Sequence, residues 1–419
     1  MNVNYTDNFR KIFQEKELYS ELHQLNVQEI KRCSFDYRRG NLTIVLGAGV
    51  SISFGLPDWR TLLSRLLDER LIEKKKYSEI IKQLIGLISS NNLITSNHIR
   101  NLYKSSNDIE FHNLLKRNLY KNYDKNAAQT LFLEIANLIP DINKFNDYST
   151  EHNINSIITY NYDDIFQQTV REPHTSFKFK TIYKQGQKCQ KDYLPIYHVH
   201  GYLPVEDETF EMNDLVLLES SYHEQYADTF KWNNIVQYNA FLNQNCLFIG
   251  ISLQDPNLRR LLYMAAKNNP SNECVHYLFK KKYNQNEVLS NLTGVIKKKY
   301  KSMSEYEKHE ITQTIQSVEE EDALKLKISI IWINEYFEIS SLINDIFCYS
   351  FRTKARDYVF FRSNDDPAEF FKSNFEHEYR QMALTSKSKL EFEKKLIQAG
   401  DKMPKFMMDQ FVRYYNLGE

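Results

Sequence analysis

Leu46-Gly47-Ala48-Gly49-Val50-Ser51-Ile52-Ser53-Phe54-Gly55-Leu56-Pro57-Asp58-Trp59-Arg60 decides how this chain folds. It follows Leu42-Thr43-Ile44-Val45-Leu46, an apolar run that reads as a buried strand. It precedes Leu62, Leu63, Leu66, Leu67 and Leu71, which are spaced for one face of a helix. A strand that passes through small residues into a helix brings backbone N–H groups up to a phosphate. Gly47 and Gly49 carry no Cβ, so the chain can turn sharply and a ligand can approach it. The spacing is not G-x-G-x-x-G, because Ile52 stands where a third glycine would be. Asp68 lies inside the helical pattern, not at a strand end where a carboxylate would meet a ribose. A hydride-transfer enzyme is therefore disfavoured.

Outward from this stretch, strand signals recur at 154–160, 197–200, 215–218, 246–250, 275–279 and 328–333. Helical patterns separate most of them. Ile80, Ile81, Leu84, Ile85 and Ile88 form one stripe, and Phe111, Leu114, Leu115 and Leu119 another. Apolar strands that alternate with helices argue for a parallel sheet covered on both faces. The expected class is α/β: a Rossmann-like, mostly parallel sheet with a helical insertion and helical extensions at both ends. The expected domains are an N-terminal helical extension over 1–40, a sheet domain over 41–335 with its insertion at about 62–150, and a C-terminal helical region over 336–419. In that last region Phe370, Phe371, Phe375 and Tyr379 recur at helical spacing. Phe406, Met407, Phe411 and Tyr415 follow nearer the terminus as a candidate assembly face.

Lys+Arg and Asp+Glu both count 54, so no global field favours nucleic acid or an anionic membrane, and direct nucleic-acid binding is not indicated. Lys297 to Lys301 reads as a solvated helix face. No apolar run approaches the roughly 20 residues that a membrane helix needs. The first residues lack the layout of a signal peptide, so a cytoplasmic protein without membrane association is expected. Cys33, Cys189, Cys246, Cys274 and Cys348 form no C-x-x-C pair, so neither a disulfide framework nor a zinc site is indicated.

Three further segments carry chemistry. Ile158-Thr159-Tyr160-Asn161-Tyr162-Asp163-Asp164 lies where an apolar strand gives way to a polar turn. That is the sheet edge at which open α/β folds bind ligands. An amide such as Asn161 both donates and accepts, which suits a ribose hydroxyl or a water. An Asn/Asp-rich strand-end turn is the other reading. In Tyr197-His198-Val199-His200-Gly201, strand periodicity puts both histidines on one face. No further ligand at supporting spacing suggests a metal. A histidine can accept a proton from a ribose hydroxyl or a water near neutral pH, and His198 reads as a supporting or core residue. Phe248-Ile249-Gly250-Ile251-Ser252-Leu253-Gln254-Asp255-Pro256-Asn257 again ends a buried strand. Asp255 reads either as the cap of the next helix or as a ribose ligand.

In their order, these four segments resemble the motifs of the sirtuin (Sir2) family: Gly-Ala-Gly-x-Ser with Gly-x-Pro-Asp-[Phe/Trp]-Arg, Thr-Gln-Asn-x-Asp with Tyr160 in place of glutamine, His-Gly, and Gly-Thr-Ser-Leu with Ile251 in place of threonine. The resemblance covers about 41–280. It implies an NAD-binding loop formed by Gly47, Ala48, Gly49, Ser51, Pro57, Asp58, Trp59 and Arg60. It implies catalytic roles for Asn161 and His200, a nicotinamide contact for Asp163, and cofactor contacts for Gly250, Ser252 and Asp255. The family's deacylating members carry a four-cysteine zinc module between the His-Gly and Gly-Thr-Ser motifs. Here that interval contains only Cys246, so no zinc is expected.

By the same resemblance, NAD is the substrate and the expected activity is its hydrolysis to ADP-ribose and nicotinamide, as in Sir2-like effectors of bacterial anti-phage defence. Assembly into a homo-oligomer and pairing with a HerA-type ATPase are expected on the same ground. An NAD-dependent protein deacylase and a non-catalytic, oligomeric NAD- or ADP-ribose-binding module are the alternatives.

Overall fold

The computed structural model describes residues 26–71, 92–104, 106–127, 130–139, 154–171, 178–191, 193–206, 215–269, 276–351 and 388–398. The chain divides into two compact units, one of residues 41–334 and one of residues 1–40 with 335–419. The expected stripe at Ile80–Ile88, the aromatic helix at 370–379 and the 406–415 face lie outside the described residues.

Unit 41–334 is built on seven strands: β1 (Leu42–Leu46), β2 (Ile154–Thr159), β3 (Phe179–Ile182), β4 (Leu194–His198), β5 (Asn245–Ile249), β6 (His276–Lys281) and β7 (Ile328–Ile333). Their spatial order is β3-β4-β2-β1-β5-β6-β7, and every neighbouring pair runs parallel. β1 and β5 are buried along their whole length. Strands without a solvent face read as unbroken apolar runs, which is why these two were legible in the sequence.

Side chains alternate across the sheet. Val45, Ile158, Phe248 and Leu278 point into one core. There they meet Phe241 of α7 (Trp232–Asn243) and Leu258, Leu261 and Leu262 of α8 (Pro256–Asn268). Leu46, Thr159 and Ile196 face the other way, lining a small cavity with Phe132 and Phe166. Phe132 belongs to α4 (Thr130–Asn137) and Phe166 to α5 (Ile165–Arg171). The expected insertion holds α1 (Trp59–Arg70), α2 (Asn92–Leu102), α3 (Asp108–Leu119) and α4 among the described residues. α6 (Glu219–Ala227) precedes α7. α9 (Gln285–Asn291), α10 (Gly294–Lys301) and α11 (Glu305–Lys325) link β6 to β7. Lys297, Lys298, Lys299 and Lys301 of α10 are largely solvent-facing.

Two strand expectations need correction, and one strand was not foreseen. Residues 215–218 form a turn, not a strand. Val216 accepts from the Tyr162 hydroxyl at 2.9 Å and donates to the His200 carbonyl at 2.8 Å, so the short apolar run anchors a loop over the sheet edge. β3 was not foreseen, because an edge strand paired on one side carries exposed Lys180 within a lysine-rich stretch. β4 ends at His198, two residues earlier than expected. His200 therefore lies in the turn beyond it, and strand alternation does not relate the two histidines.

The second unit contains a helix over 26–38, α12 (Glu338–Phe351) and α13 (Lys389–Gln398). Ile30, Cys33 and Tyr37 of the first are buried, as are Ile339, Leu342, Ile343 and Ile346 of α12.

Candidate active site

The register brings Leu46, Thr159 and Ile249 level across β2, β1 and β5, and Thr159 level with His198 across β2 and β4. The four motif segments thus leave four adjacent strands at one edge. From β1 the neighbours diverge to β2 on one side and β5 on the other. Such a switch point is where doubly wound sheets take ligands.

Beyond β1 the chain makes two short 3-10 turns, Ala48–Val50 and Ile52–Phe54. The Gly47 amide donates to Ile249 O and the Gly49 amide to Gly250 O, both at 3.0 Å. Backbone packs on backbone here: a Cβ on Gly49 would sit 2.7 Å from Gly250 Cα, and one on Gly250 would sit 2.6 Å from Val50 N. These glycines are needed first for the two loops to touch.

The Ser51 hydroxyl is the hub of the first polar cluster. It donates to Asp163 Oδ1 at 3.2 Å and accepts from Asn161 Nδ2 at 3.1 Å. A hydroxyl has one proton, so its gift to the carboxylate sets the asparagine amide. Asn161 Oδ1 is left buried with no hydrogen-bond partner. Asp163 Oδ1 also accepts from the Ile165 amide at 3.3 Å. Burial pushes the Asp163 carboxyl up to about 6, against the opposing pull of the Ile165 and Ser51 hydrogen bonds.

His198 props this cluster from behind. Its Nδ1 contacts the Asn161 carbonyl at 3.0 Å, and its Nε2 contacts the Gln167 amide nitrogen at 2.7 Å. A carbonyl only accepts and an amide NH2 only donates, so His198 is the neutral Nδ1–H tautomer. Burial holds its pKa down to about 4, consistent with that state.

His200 forms the second cluster. Gly201 takes a φ of +102°, a left-handed backbone that favours glycine. That explains the His-Gly pair locally: the glycine makes the turn that presents the histidine. The imidazole is 7% exposed. Tyr160 meets it edge-on at 4.7 Å and Tyr222 at 5.9 Å between ring centroids. Its Nε2 is buried without a hydrogen bond and lies 3.6 Å from Asp255 Oδ2. Burial lowers the His200 pKa, and the Asp255 charge partly opposes this. Neutral at physiological pH, the ring is available as a proton acceptor.

Asp255 caps α8, accepting from the Leu258 amide at 2.7 Å, and its other oxygen accepts from the Tyr222 hydroxyl at 2.5 Å. Asp58 is likewise the N-cap of α1, accepting from the Thr61 amide at 2.8 Å. Trp59 stacks on Tyr222 at 6.0 Å, which ties the end of the glycine-rich loop to the His200 cluster. Pro57 is buried, Ala48 half-buried, and Arg60 and Ser252 are exposed. Among the described residues, no hydrogen bond, ion pair or ring contact joins the Arg60 side chain to Asn161 or His200.

Residues 155–302 match the family model of the SIR2-like domain. The matched span contains Asn161, Asp163, His200, Gly250 and Asp255, whereas β1 and the glycine-rich loop precede it. The chain is also 21% identical over 321 residues, 76% of its length, to NAD(+) hydrolase ThsA of Enterococcus faecium. It spans 57% of that relative's length.

Reading the sequence missed part of the frame around this site. Tyr222 carried no local signal. The buried amides of α7 did leave one: Asn233, Asn234 and Gln237 interrupt an otherwise apolar helix face. Asn233 donates to the Val199 carbonyl at 2.8 Å, and Gln237 bonds the Tyr160 hydroxyl. Asn257 of α8 donates to Asn234 at 3.0 Å. Among the described residues, no group of three or more His, Cys, Asp or Glu is arranged to hold a metal ion, and no helix is long and apolar enough to cross a membrane.

Proposed function

We propose that this chain hydrolyses NAD+ to ADP-ribose and nicotinamide. One observation carries the reading: Asn161 Oδ1, buried and without a hydrogen bond, stands at one sheet edge with the buried His200 imidazole, inside the segment that matches the SIR2-like model. Unpaired buried polar groups cost about 1–3 kcal/mol each, and such strain is tolerated where a ligand will meet it. The relative named as an NAD(+) hydrolase supports the same substrate.

In this reading Asn161 orients the substrate ribose and the attacking water, and the Ser51–Asp163 pair fixes its amide. Asp163 and Asn161 face the leaving nicotinamide. His200 takes the proton as an oxocarbenium-like centre forms at C1′ and is captured by water. Gly47, Ala48, Gly49, Gly250 and Ser252 supply the loops nearest the phosphates, with Pro57, Trp59 and Arg60 at the far end of the first loop.

The wider role in this reading is that of an anti-phage effector in the cytoplasm. It would act as a homo-oligomer and with a HerA-type ATPase as partner, a pairing that would restrain a harmful activity. The test is nicotinamide release from NAD+ by the purified chain, alone and with such an ATPase. Stoichiometric ADP-ribose is the expected second product. Absence of both products in each condition overturns the reading, and nicotinamide release that requires an acylated lysine peptide replaces it with a deacylase.

A further inference from the structure

Asp255 has more contacts than a helix cap uses. Oδ1 satisfies the Leu258 amide, which completes the cap. Oδ2 accepts the Tyr222 hydroxyl and faces His200 Nε2 at 3.6 Å, with both side chains largely buried. A carboxylate oxygen accepts more than one hydrogen bond, so the Tyr222 bond leaves room for an imidazole N–H. Both oxygens are thus engaged within the protein, one by the helix cap and one by the Tyr222 hydroxyl.

We propose that Asp255, clamped by Tyr222, is a positioning residue that holds His200 in the Nε2–H tautomer, so that Nδ1 carries the lone pair used as base. This rests on the hydrolase reading above. The edge-on rings of Tyr160 and Tyr222 limit the tilt of the imidazole, while the carboxylate chooses which nitrogen keeps its proton. Of the groups packed against His200, Tyr160 from the end of β2 and Tyr222 from α6 are phenols kept neutral by burial. Asp255 from α8 supplies the charge that acts on the ring. The step balances. The C1′–N bond to nicotinamide breaks and its electron pair leaves with nicotinamide. The water oxygen bonds to C1′, and the water proton passes to His200 Nδ1 and then to solvent.

Asp255→Asn tests this: its one amide oxygen can keep the Leu258 cap, while the Oδ2 position becomes an NH2 that carries no charge and cannot accept from the His200 N–H. The expected result is a fall in kcat of at least about tenfold, part of the ~10²–10⁴ that a general base supplies, with little change in KM. The acid limb of the pH profile should move to lower pH, since His200 loses the neighbour that favours its protonated form. In ligand-free protein, 15N NMR titration of His200, identified by its loss in His200→Gln, should show a lower pKa and a lost preference for Nε2–H. Tyr222→Phe keeps the ring and removes the clamp. Its smaller loss should vanish when combined with Asp255→Asn, because it acts through Asp255.

An unchanged kcat, acid limb and His200 titration in Asp255→Asn would overturn the proposal. So would a loss carried by KM alone, which would put Asp255 on the substrate. If the wild-type chain releases no nicotinamide, the hydrolase reading falls by itself, and the NMR titration still decides the Asp255–His200 coupling.

Discussion

Asn161 bonds Ser51 through its amide nitrogen and keeps its oxygen buried and unpaired. Removing the side chain loses one hydrogen bond, worth about 0.5–1.5 kcal/mol, and relieves an unpaired carbonyl costing about 1–3 kcal/mol. Asn161→Ala should therefore melt close to the wild type while its nicotinamide release falls by at least ~10²-fold, and His200→Ala should fall as far. Full turnover in both folded variants would remove these residues from the chemistry. Asp163 makes a separate, pH-dependent statement. Its carboxyl titrates at 3.8 unfolded and at about 6 folded. The folded state holds the proton more tightly, so the burial penalty is absent below pH 3.8 and complete above about pH 6. It amounts to about 3 kcal/mol at 1.36 kcal/mol per unit. Asp163→Asn, which mimics the protonated form, should gain stability over the wild type as pH rises from 4 to 7. Thermal melts at several pH values check this, and a constant difference would refute it.

The glycine-rich element supports a test in which two costs are separated. Gly250 has φ +69° and a Cβ there would collide with Val50 N, whereas Gly186 has φ +85° with nothing within 4 Å. Gly186→Ala should cost the roughly 1–2 kcal/mol of a left-handed alanine. Gly250→Ala should add an overpacking term of about 1–3 kcal/mol and shift the loop at 47–50. Denaturant unfolding of both reads the difference, and equal losses would mean that the two loops part easily. This element also shows what was legible in the sequence and why. β1, the glycines, Asn161 and the His-Gly pair were readable because strand burial and turn geometry act on neighbours in the chain. The Ser51–Asp163 bond, the Tyr222 clamp and the partners of the α7 amides were not, because each joins residues that only the closed sheet brings together. β3 and the 215–218 turn were misjudged for a related reason: edge strands and anchored loops take their form from a partner, not from their own pattern.

At the scale of the whole molecule, two expectations can be measured directly. Elemental analysis should find far less than one zinc per chain, and a stoichiometric zinc that resists dialysis would revive the deacylase reading. If the chain assembles through its C-terminal end, removal of residues 402–419 should shift the mass by light scattering toward smaller species and leave the sheet domain folded. A lowered melting temperature with unchanged mass would defeat that expectation.

The position of β1 has a consequence for synthesis. Leu42 pairs with Ile154 on one side and with Asn245 on the other. During translation the central strand therefore leaves the ribosome early and waits for most of unit 41–334 before its second edge is covered. Pairings this distant in sequence form slowly, and an open apolar edge invites association with other chains. The same order delays the site: Asp255 and Gly250 arrive last, after Asn161 and His200. A nascent or truncated chain ending before β5 would thus lack Gly250 and Asp255, and its cleft would be complete only after most of unit 41–334 has been made.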